Sequence, residues 1–417
     1  MRMKFNKSSQ LLLLSAASLL AAVLITACGT ATVDFVYVAS SKAAGTNNYG
    51  EIDVFEINGV SGYMRQIPSS PFPSGGRNPV AEAISSDNAN LYVVNQDDNT
   101  IVQFMIGDDG KLYPQNTVNT PGIYPLAVTV SGTNLFVVDT YQPLPACSSA
   151  DPCSGSVGVF PLLPATTGAN PTLSGAPGTP LTNTIIGADY WPLTLAANPS
   201  HIILPTGVNV LKSGSDLFVT AYDSSVTPNV GYVFGFSIGS SGALTPLNGG
   251  VPFAAGVHPS AIASDTTSNG TYVYVTDSVS GNIRGYSFAS GLLTSLSGSP
   301  FPAGNQPSAI VVDPAYPYAY VANSLDGNVT AYSISSGALT RIGTYAAGID
   351  PVAIGIDPST NHFVFTANFN PGAVNGTVSD FELISTAGTL TNTQLSPYNS
   401  NALPTAVAAV PHGSATQ

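Results

Sequence analysis

A unit of about 45 residues recurs along almost the whole chain, a period that points to a propeller or a solenoid. Residues 307–341, PSAIVVDPAYPYAYVANSLDGNVTAYSISSGALTR, show the unit most completely. It opens on a Pro and runs apolar to Val312. After a Pro-rich turn it alternates over Tyr318–Asn323, turns at Asp326-Gly327, and alternates again over 329–334, with a Ser-Gly turn before Leu339. Val, Tyr, Ile and Thr at period two suit a pleated, half-buried surface, and Asp-Gly supplies the positive-φ positions a hairpin needs. Each unit therefore reads as four short antiparallel strands, with no helix-period segment between them.

Seven units align on the Pro that starts the inner strand: Pro79, Pro125, Pro205, Pro259, Pro307, Pro351 and Pro404, at spacings of 46, 80, 54, 48, 44 and 53 residues. The last unit, 404–410, holds a single strand. The first segment has the complementary deficit, with strands at 35–40, 52–57 and 63–67 but no inner one. A C-terminal strand that pairs with the N-terminal ones completes a seventh sheet and leaves no long edge exposed. The expected fold is thus all-β, a seven-bladed β-propeller over 33–410 with a tail at 411–417. The 80-residue interval implies an insertion at about 162–204, rich in Pro, Gly and Thr and carrying the only tryptophan, Trp191. Such a segment packs over a face of the ring or hides an irregular outer strand; an eighth blade would need a Tyr-Val-x-Asn element that it lacks.

The ends carry a different message. Residues 1–27 have a basic start (Arg2, Lys4, Lys7) and an apolar stretch over 11–25 that is too short to span a bilayer, as in a signal peptide. Ile25-Thr26-Ala27-Cys28 resembles a bacterial lipobox, which implies lipidation of Cys28, a tether at 28–32, and a place in the cell envelope. Gly29, where Asp would signal inner-membrane retention, favours the outer membrane. Without residues 1–27 the chain has seven basic and 23 acidic side chains, a formal charge of −16. Phosphate binding needs Lys and Arg clusters, so nucleic acid is excluded as a partner. The expected contacts are a membrane through the lipid anchor and a small-molecule, glycan or protein ligand, with the chain a monomer. Cys147 and Cys153, in the loop CSSADPC, read as a disulfide in an exported chain; two thiols without a nearby His make a poor zinc site. No obligatory metal and no cofactor are expected.

The recurring element is Tyr92-Val93-Val94-Asn95, Phe136-Val137-Val138-Asp139, Tyr274-Val275-Thr276-Asp277, Tyr320-Val321-Ala322-Asn323 and, more loosely, Phe365-Thr366-Ala367-Asn368. With the Gly-x-x-Pro before it and the Gly-Asn-Val or Gly-Asn-Ile turn after it, this is similar to the YVTN type of repeat. It resembles the seven-bladed lactonase family, which includes 6-phosphogluconolactonase-like proteins. The resemblance implies the propeller fold and, as an activity, lactone hydrolysis. The Asn or Asp that closes each element reads first as a turn stabiliser.

In a propeller the residue before each anchoring Pro lines the channel mouth, which here gives Asn78, Tyr124, Leu204, His258, Gln306, Asp350 and Leu403, with Arg77 beside Asn78. Asn78, Tyr124 and Gln306 are candidate ligand contacts. Lactone hydrolysis needs a base for water and a positive group for the oxyanion, so His258 is the candidate base, Arg77 the oxyanion partner and Asp350 the third member. Family members often carry a Pro-His-x-His element; the equivalent Gly256-Val257-His258-Pro259-Ser260 has one His. His201 lies in the insertion, His362 in a turn and His412 in the tail. No Gly-x-Ser-x-Gly elbow, phosphate loop or His-Glu-x-x-His helix occurs. Two functions follow: a non-catalytic propeller that binds a ligand at the mouth or insertion, or a hydrolase that opens a sugar lactone or related cyclic ester. If the lipobox is read as such, radiolabelled palmitate is incorporated by the wild-type chain in a bacterial host and not by Cys28→Ser; labelling of both would sink the assignment.

Overall fold

The computed structural model describes residues 32–42, 48–59, 61–165, 174–267, 270–357 and 362–412, so Cys28 and the signal segment lie outside the described residues. Seven antiparallel sheets form the blades of a ring. Blade 1 orders Leu403–Pro411, Thr32–Ser41, Tyr49–Asn58 and Met64–Gln66 from the channel outward. The inner strands of blades 2 to 7 are Pro79–Ile84, Ile123–Ser131, Ile203–Val210, Pro259–Thr267, Pro307–Val312 and Pro351–Ile356. Each touches the next, and Leu403–Pro411 closes the circle between Pro351–Ile356 and Pro79–Ile84. Seven apolar cores fill the seven gaps between blades, one per gap.

The closing strand pairs as the sequence requires: Phe35 lies opposite Val410, Tyr37 opposite Ala408 and Ala39 opposite Ala406. The 80-residue interval resolves into blade 3. There Ala176–Pro177 and Trp191–Pro192 both pair with the third strand, Ser156–Leu163, so two short pieces replace one outer strand. Trp191 is buried in the core between blades 3 and 4, its indole N–H donating to the Leu244 carbonyl at 2.8 Å.

Two features of the repeat find their physical reason here. The Tyr of the repeated element sends its hydroxyl across to the next blade. Tyr37, Tyr92, Tyr274 and Tyr320 are buried and donate to the carbonyls of Gly110, Gly175, Gly337 and Gly388. Each bond satisfies a polar group that would otherwise be stranded in an apolar core, a penalty of about 1–3 kcal/mol.

The closing Asn or Asp (Asn95, Asp139, Asp277, Asn323, Asn368) is fully buried and holds the loop that enters the inner strand. Gly122 N–H donates to Asp139 at 3.0 Å, Val257 N–H to Asp277 at 2.8 Å, and Gly304 N–H to Asn323 at 3.0 Å. The Gly of Gly-x-x-Pro is needed because the loop lies directly on this side chain: a Cβ on Gly256 would sit 2.1 Å from Asp277 Oδ2, and one on Gly304 2.6 Å from Asn323 Cγ.

One inner-strand residue breaks the pattern. Three positions after the anchoring Pro, six blades carry Val128, Val208, Ile262, Ile310, Ile354 or Val407, and blade 2 carries Glu82. Glu82 keeps some exposed surface, but both carboxyl oxygens are shut away from solvent and no side chain among the described residues bonds to them. Burial holds its carboxyl well above the usual range, and the backbones of Ala408 and Ala39 offset this only weakly. Its ionised form therefore opposes closure of the seam between blades 1 and 2.

Two predictions follow from these buried acids. Glu82→Ile should raise stability at pH 8 by roughly 1–3 kcal/mol in urea unfolding, with the gain shrinking as pH falls; an equal gain at pH 4 and 8 would contradict the burial argument. Asp139 and Asp277 share a position but not an environment. Burial raises Asp139 to about 7 against help from Gly122 and Thr120, and its Oδ1 has no hydrogen-bond partner among the described residues. Burial also raises Asp277, yet bonds from Val257, Ser280 and His258 outweigh it and leave that carboxyl below the usual value. A raised acid stabilises the fold below its unfolded pKa and loses that contribution as pH rises through the folded one. Wild type should therefore lose on the order of 2–4 kcal/mol between pH 4 and 7 through Asp139, and Asp139→Asn should remove that slope. Parallel pH profiles for the two proteins would rule this out.

Candidate functional site at the channel mouth

The mouth is built from the loops that enter the inner strands and the ends of the second strands. Asn78, Tyr124, Gln306 and Asp350, each immediately before its anchoring Pro, sit in the left-handed region with φ of 53°, 55°, 51° and 54°. Non-glycine residues rarely adopt this conformation, and its strain is held by bonds on either side. The carbonyls of Asn78, His258, Gln306 and Asp350 accept the amides of Gln96, Ser278, Ser324 and Phe369, the residues that follow the closing Asn or Asp. The same clamp that shapes the repeat thus aims the mouth side chains. Leu204, His258 and Leu403, at the same position in the other blades, lie outside the left-handed region.

Arg77 ends Phe72–Arg77, which pairs with Tyr49–Asn58 of blade 1, while His258 and Asp350 precede the inner strands of blades 5 and 7, and no hydrogen bond or ion pair among the described residues joins any two of them. Arg77 is committed elsewhere. Its side chain pairs with Asp98, with Nε donating at 2.7 Å, and its backbone N–H donates to the same carboxylate at 2.6 Å. Burial pushes the Asp98 carboxyl up, but the bonds and charge of Arg77 bring it below its usual value. Asn78 bonds to Gln96 and Asp97, each at 3.2 Å. Tyr124 meets Tyr141 edge-on at 6.0 Å, and its amide donates to Asn99 Oδ1 at 2.7 Å. Burial alone raises the Asp350 carboxyl. His258 is the most fully positioned of the candidates: its Nδ1 lies 3.2 Å from Ser278 Oγ and its ring stacks on Tyr222 at 4.0 Å.

Beside His258, between blades 5 and 6, opens a cleft of about 730 Å³. Its polar lining is hydroxyls and amides, from Ser260, Ser278, Ser308, Ser324, Asn305 and Gln306. Val279 and Leu325, 67% and 68% exposed, form its apolar lip. Among the described residues no ionisable side chain lines it. The floor is stiff, because Ser260 Oγ donates to the Pro307 carbonyl and Ser308 Oγ to the Pro351 carbonyl, both at 2.5 Å, tying blade 5 to blade 6 and blade 6 to blade 7. Gln306 is exposed on the rim.

One pair at the mouth escaped the sequence reading. His201 Nδ1 lies 2.6 Å from Asp223 Oδ2, with the carboxylate 2% and the imidazole 28% exposed. Asp223 lies two residues beyond the position that closes the other blades, which in blade 4 is Ala221 opposite Pro205. His201 comes from the irregular insertion, so no spacing signal links the two. The loop pinned by the Cys147–Cys153 disulfide reaches the same place: Ser154 Oγ donates to the His201 carbonyl and accepts the Ile203 amide. Among the described residues no three His, Cys, Asp or Glu side chains converge as a metal site.

Residues 270–400, from the second strand of blade 5 to the end of blade 7, match the family described as lactonase, 7-bladed beta-propeller. No curated protein matches the sequence. Among solved structures, a Bacteroides fragilis protein provisionally described as a 6-phosphogluconolactonase superposes with a TM-score of 0.65 at 18% identity, covering 92% of this chain and 99% of that one. The periplasmic gluconolactonase of Pseudomonas aeruginosa superposes with a TM-score of 0.64 at 18% identity, covering 91% and 99%. A Lactobacillus plantarum protein gives 0.62 at 16%, covering 91% and 99%. The chain is a seven-bladed β-propeller, and its blades 5 to 7 match the lactonase family model.

Proposed function

We propose that this propeller binds a small, uncharged, hydroxyl-rich ligand of the sugar or sugar-lactone class in the cleft between blades 5 and 6. The observation that carries this reading is the cleft's lining of hydroxyls and amides with an apolar lip and no ionisable group. Such a surface exchanges hydrogen bonds with ring hydroxyls and covers a sugar's C–H face, whereas a phosphorylated ligand would need a free cation. The cation nearest the sequence-predicted site, Arg77, is held by Asp98. A lipid anchor at Cys28 would keep the ring at the cell envelope, in the outer membrane, where such ligands pass.

A second reading, hydrolysis of a sugar lactone or related cyclic ester, is supported by His258. The hydroxyl of Ser278 both lines the cleft and touches His258 Nδ1, which sets an imidazole at the edge of the binding site. The likeness to the Pseudomonas aeruginosa gluconolactonase agrees with this reading at the level of the fold.

Calorimetric titration with glucose, glucono-δ-lactone and 6-phosphogluconate separates the possibilities. Neutral ligands should bind and the phosphorylated one should not. Gln306→Ala together with Ser324→Leu, which narrows the cleft, should weaken binding at least about tenfold, the loss of one or two hydrogen bonds plus a steric block. Binding that is unchanged in the double variant, or that prefers the phosphorylated ligand, would overturn the assignment of the cleft.

A further inference from the structure

Two imidazoles flank the mouth end of the blade 4 strand Asp216–Asp223. Consecutive strand residues point to opposite faces. Tyr222 turns toward blade 5 and stacks on His258 at 4.0 Å, while Asp223 turns toward blade 3 and holds His201 at 2.6 Å. The sequence element with a single His is thus joined at the mouth by a second one supplied by the insertion.

His201 has the arrangement of a general base. Ionised Asp223 only accepts hydrogen bonds, so the imidazole proton sits on Nδ1 and the lone pair on Nε2. The carboxylate is dry and its other oxygen accepts the Ser225 amide at 2.9 Å, so its orientation is fixed. The imidazole is partly open to solvent, and its backbone is held at both ends: its amide donates to the Asn198 carbonyl at 3.1 Å and its carbonyl accepts Ser154 Oγ at 3.1 Å. A buried carboxylate, a fixed tautomer and a partly exposed imidazole together match what water activation demands.

We propose that His201, oriented by Asp223, is the base that activates water for attack on a ring ester bound at the channel mouth. The inference rests on the hydrolytic reading above. Nε2 takes a proton from water as the water oxygen bonds to the ester carbonyl carbon. The tetrahedral adduct then breaks its bond to the ring oxygen, which receives a proton from an imidazolium at the mouth and leaves as a hydroxyl. One water is consumed, the product is a hydroxy acid, and nothing is oxidised or reduced. Asp223 acts through His201 as a positioning residue, and His258, fixed by Ser278, stands on the other side as the second imidazole.

The test is the pH dependence of glucono-δ-lactone opening by the full chain, followed by acid release above the spontaneous rate. His201→Gln should lower kcat/KM by about 10²–10⁴ and remove the limb that rises with pH. Asp223→Asn should fall in the same direction with KM little changed, and free imidazole should restore activity to His201→Gly. Melting temperatures of the variants show whether they fold, and rescue by imidazole is a result no purely structural role produces. An active wild type with an unaltered profile in His201→Gln, or a folded His201→Gly that imidazole does not rescue, overturns the base assignment alone. A wild type no faster than the spontaneous reaction overturns the hydrolytic reading and the base with it.

Discussion

A sheet that ends in open space leaves a row of backbone N–H and C=O groups unpaired, and everything in this molecule depends on how that problem is solved at blade 1. Six blades are continuous in the chain, each built from strands that follow one another. Blade 1 takes its inner strand from the far end, Leu403–Pro411 against Thr32–Ser41. Thr405 extends the join to the neighbour: its hydroxyl bonds to the Ala39 carbonyl within blade 1 at 3.0 Å and to the Pro79 carbonyl of blade 2 at 2.7 Å. The one residue that works against the seam is Glu82, which places an acid where every other gap has an aliphatic side chain.

From the closed ring the mouth follows by a single repeated device. A buried Asn or Asp receives the loop amides, a glycine lets the loop lie on it, and the residue before the Pro is turned into the mouth. Because the backbone does the holding, the exposed side chain at that last position is free to differ from blade to blade. That is why Asn78, Tyr124, Gln306 and Asp350 can share one backbone geometry while offering different chemistry. Function on this scaffold lives in such side chains rather than in the fold.

The blade repeat was legible because each strand buries one face, which imposes period two, and each turn needs Gly, Pro or Asp at a fixed place. The closing strand was legible from the complementary deficits at the two ends. The closing Asn and Asp residues, read as turn stabilisers, hold the loop before the inner strand, and Asp277 also accepts the Ser280 amide and hydroxyl in the turn that follows it. Contacts between irregular segments were not legible. Arg77 and Asp98 are 21 residues apart and meet only because the Gln96–Asp98 turn lies over the entry to blade 2. His201 and Asp223 meet because Asn198, Ser154 and the disulfide loop hold an aperiodic segment against blade 4. Nor does any single unit encode the cleft, which is lined by residues of both blade 5 and blade 6. Trp191 was visible as an oddity, but its burial between blades 3 and 4 depends on two strand fragments too short for any period to register.

The account stands or falls on the circle being shut by the C-terminal strand. Amide hydrogen exchange on the full chain, compared with a chain ended at Ala402, measures this directly. With the strand present, 35–40 and 405–409 should be protected to the same degree as the inner strands of blades 2 to 7. Without it, protection should fall in blade 1 and spread into Pro79–Ile84 and Pro351–Ile356, the two strands that Leu403–Pro411 touches. Slow exchange over 35–40 that persists in the shortened chain would show that blade 1 stands without its borrowed strand, and would contradict the account.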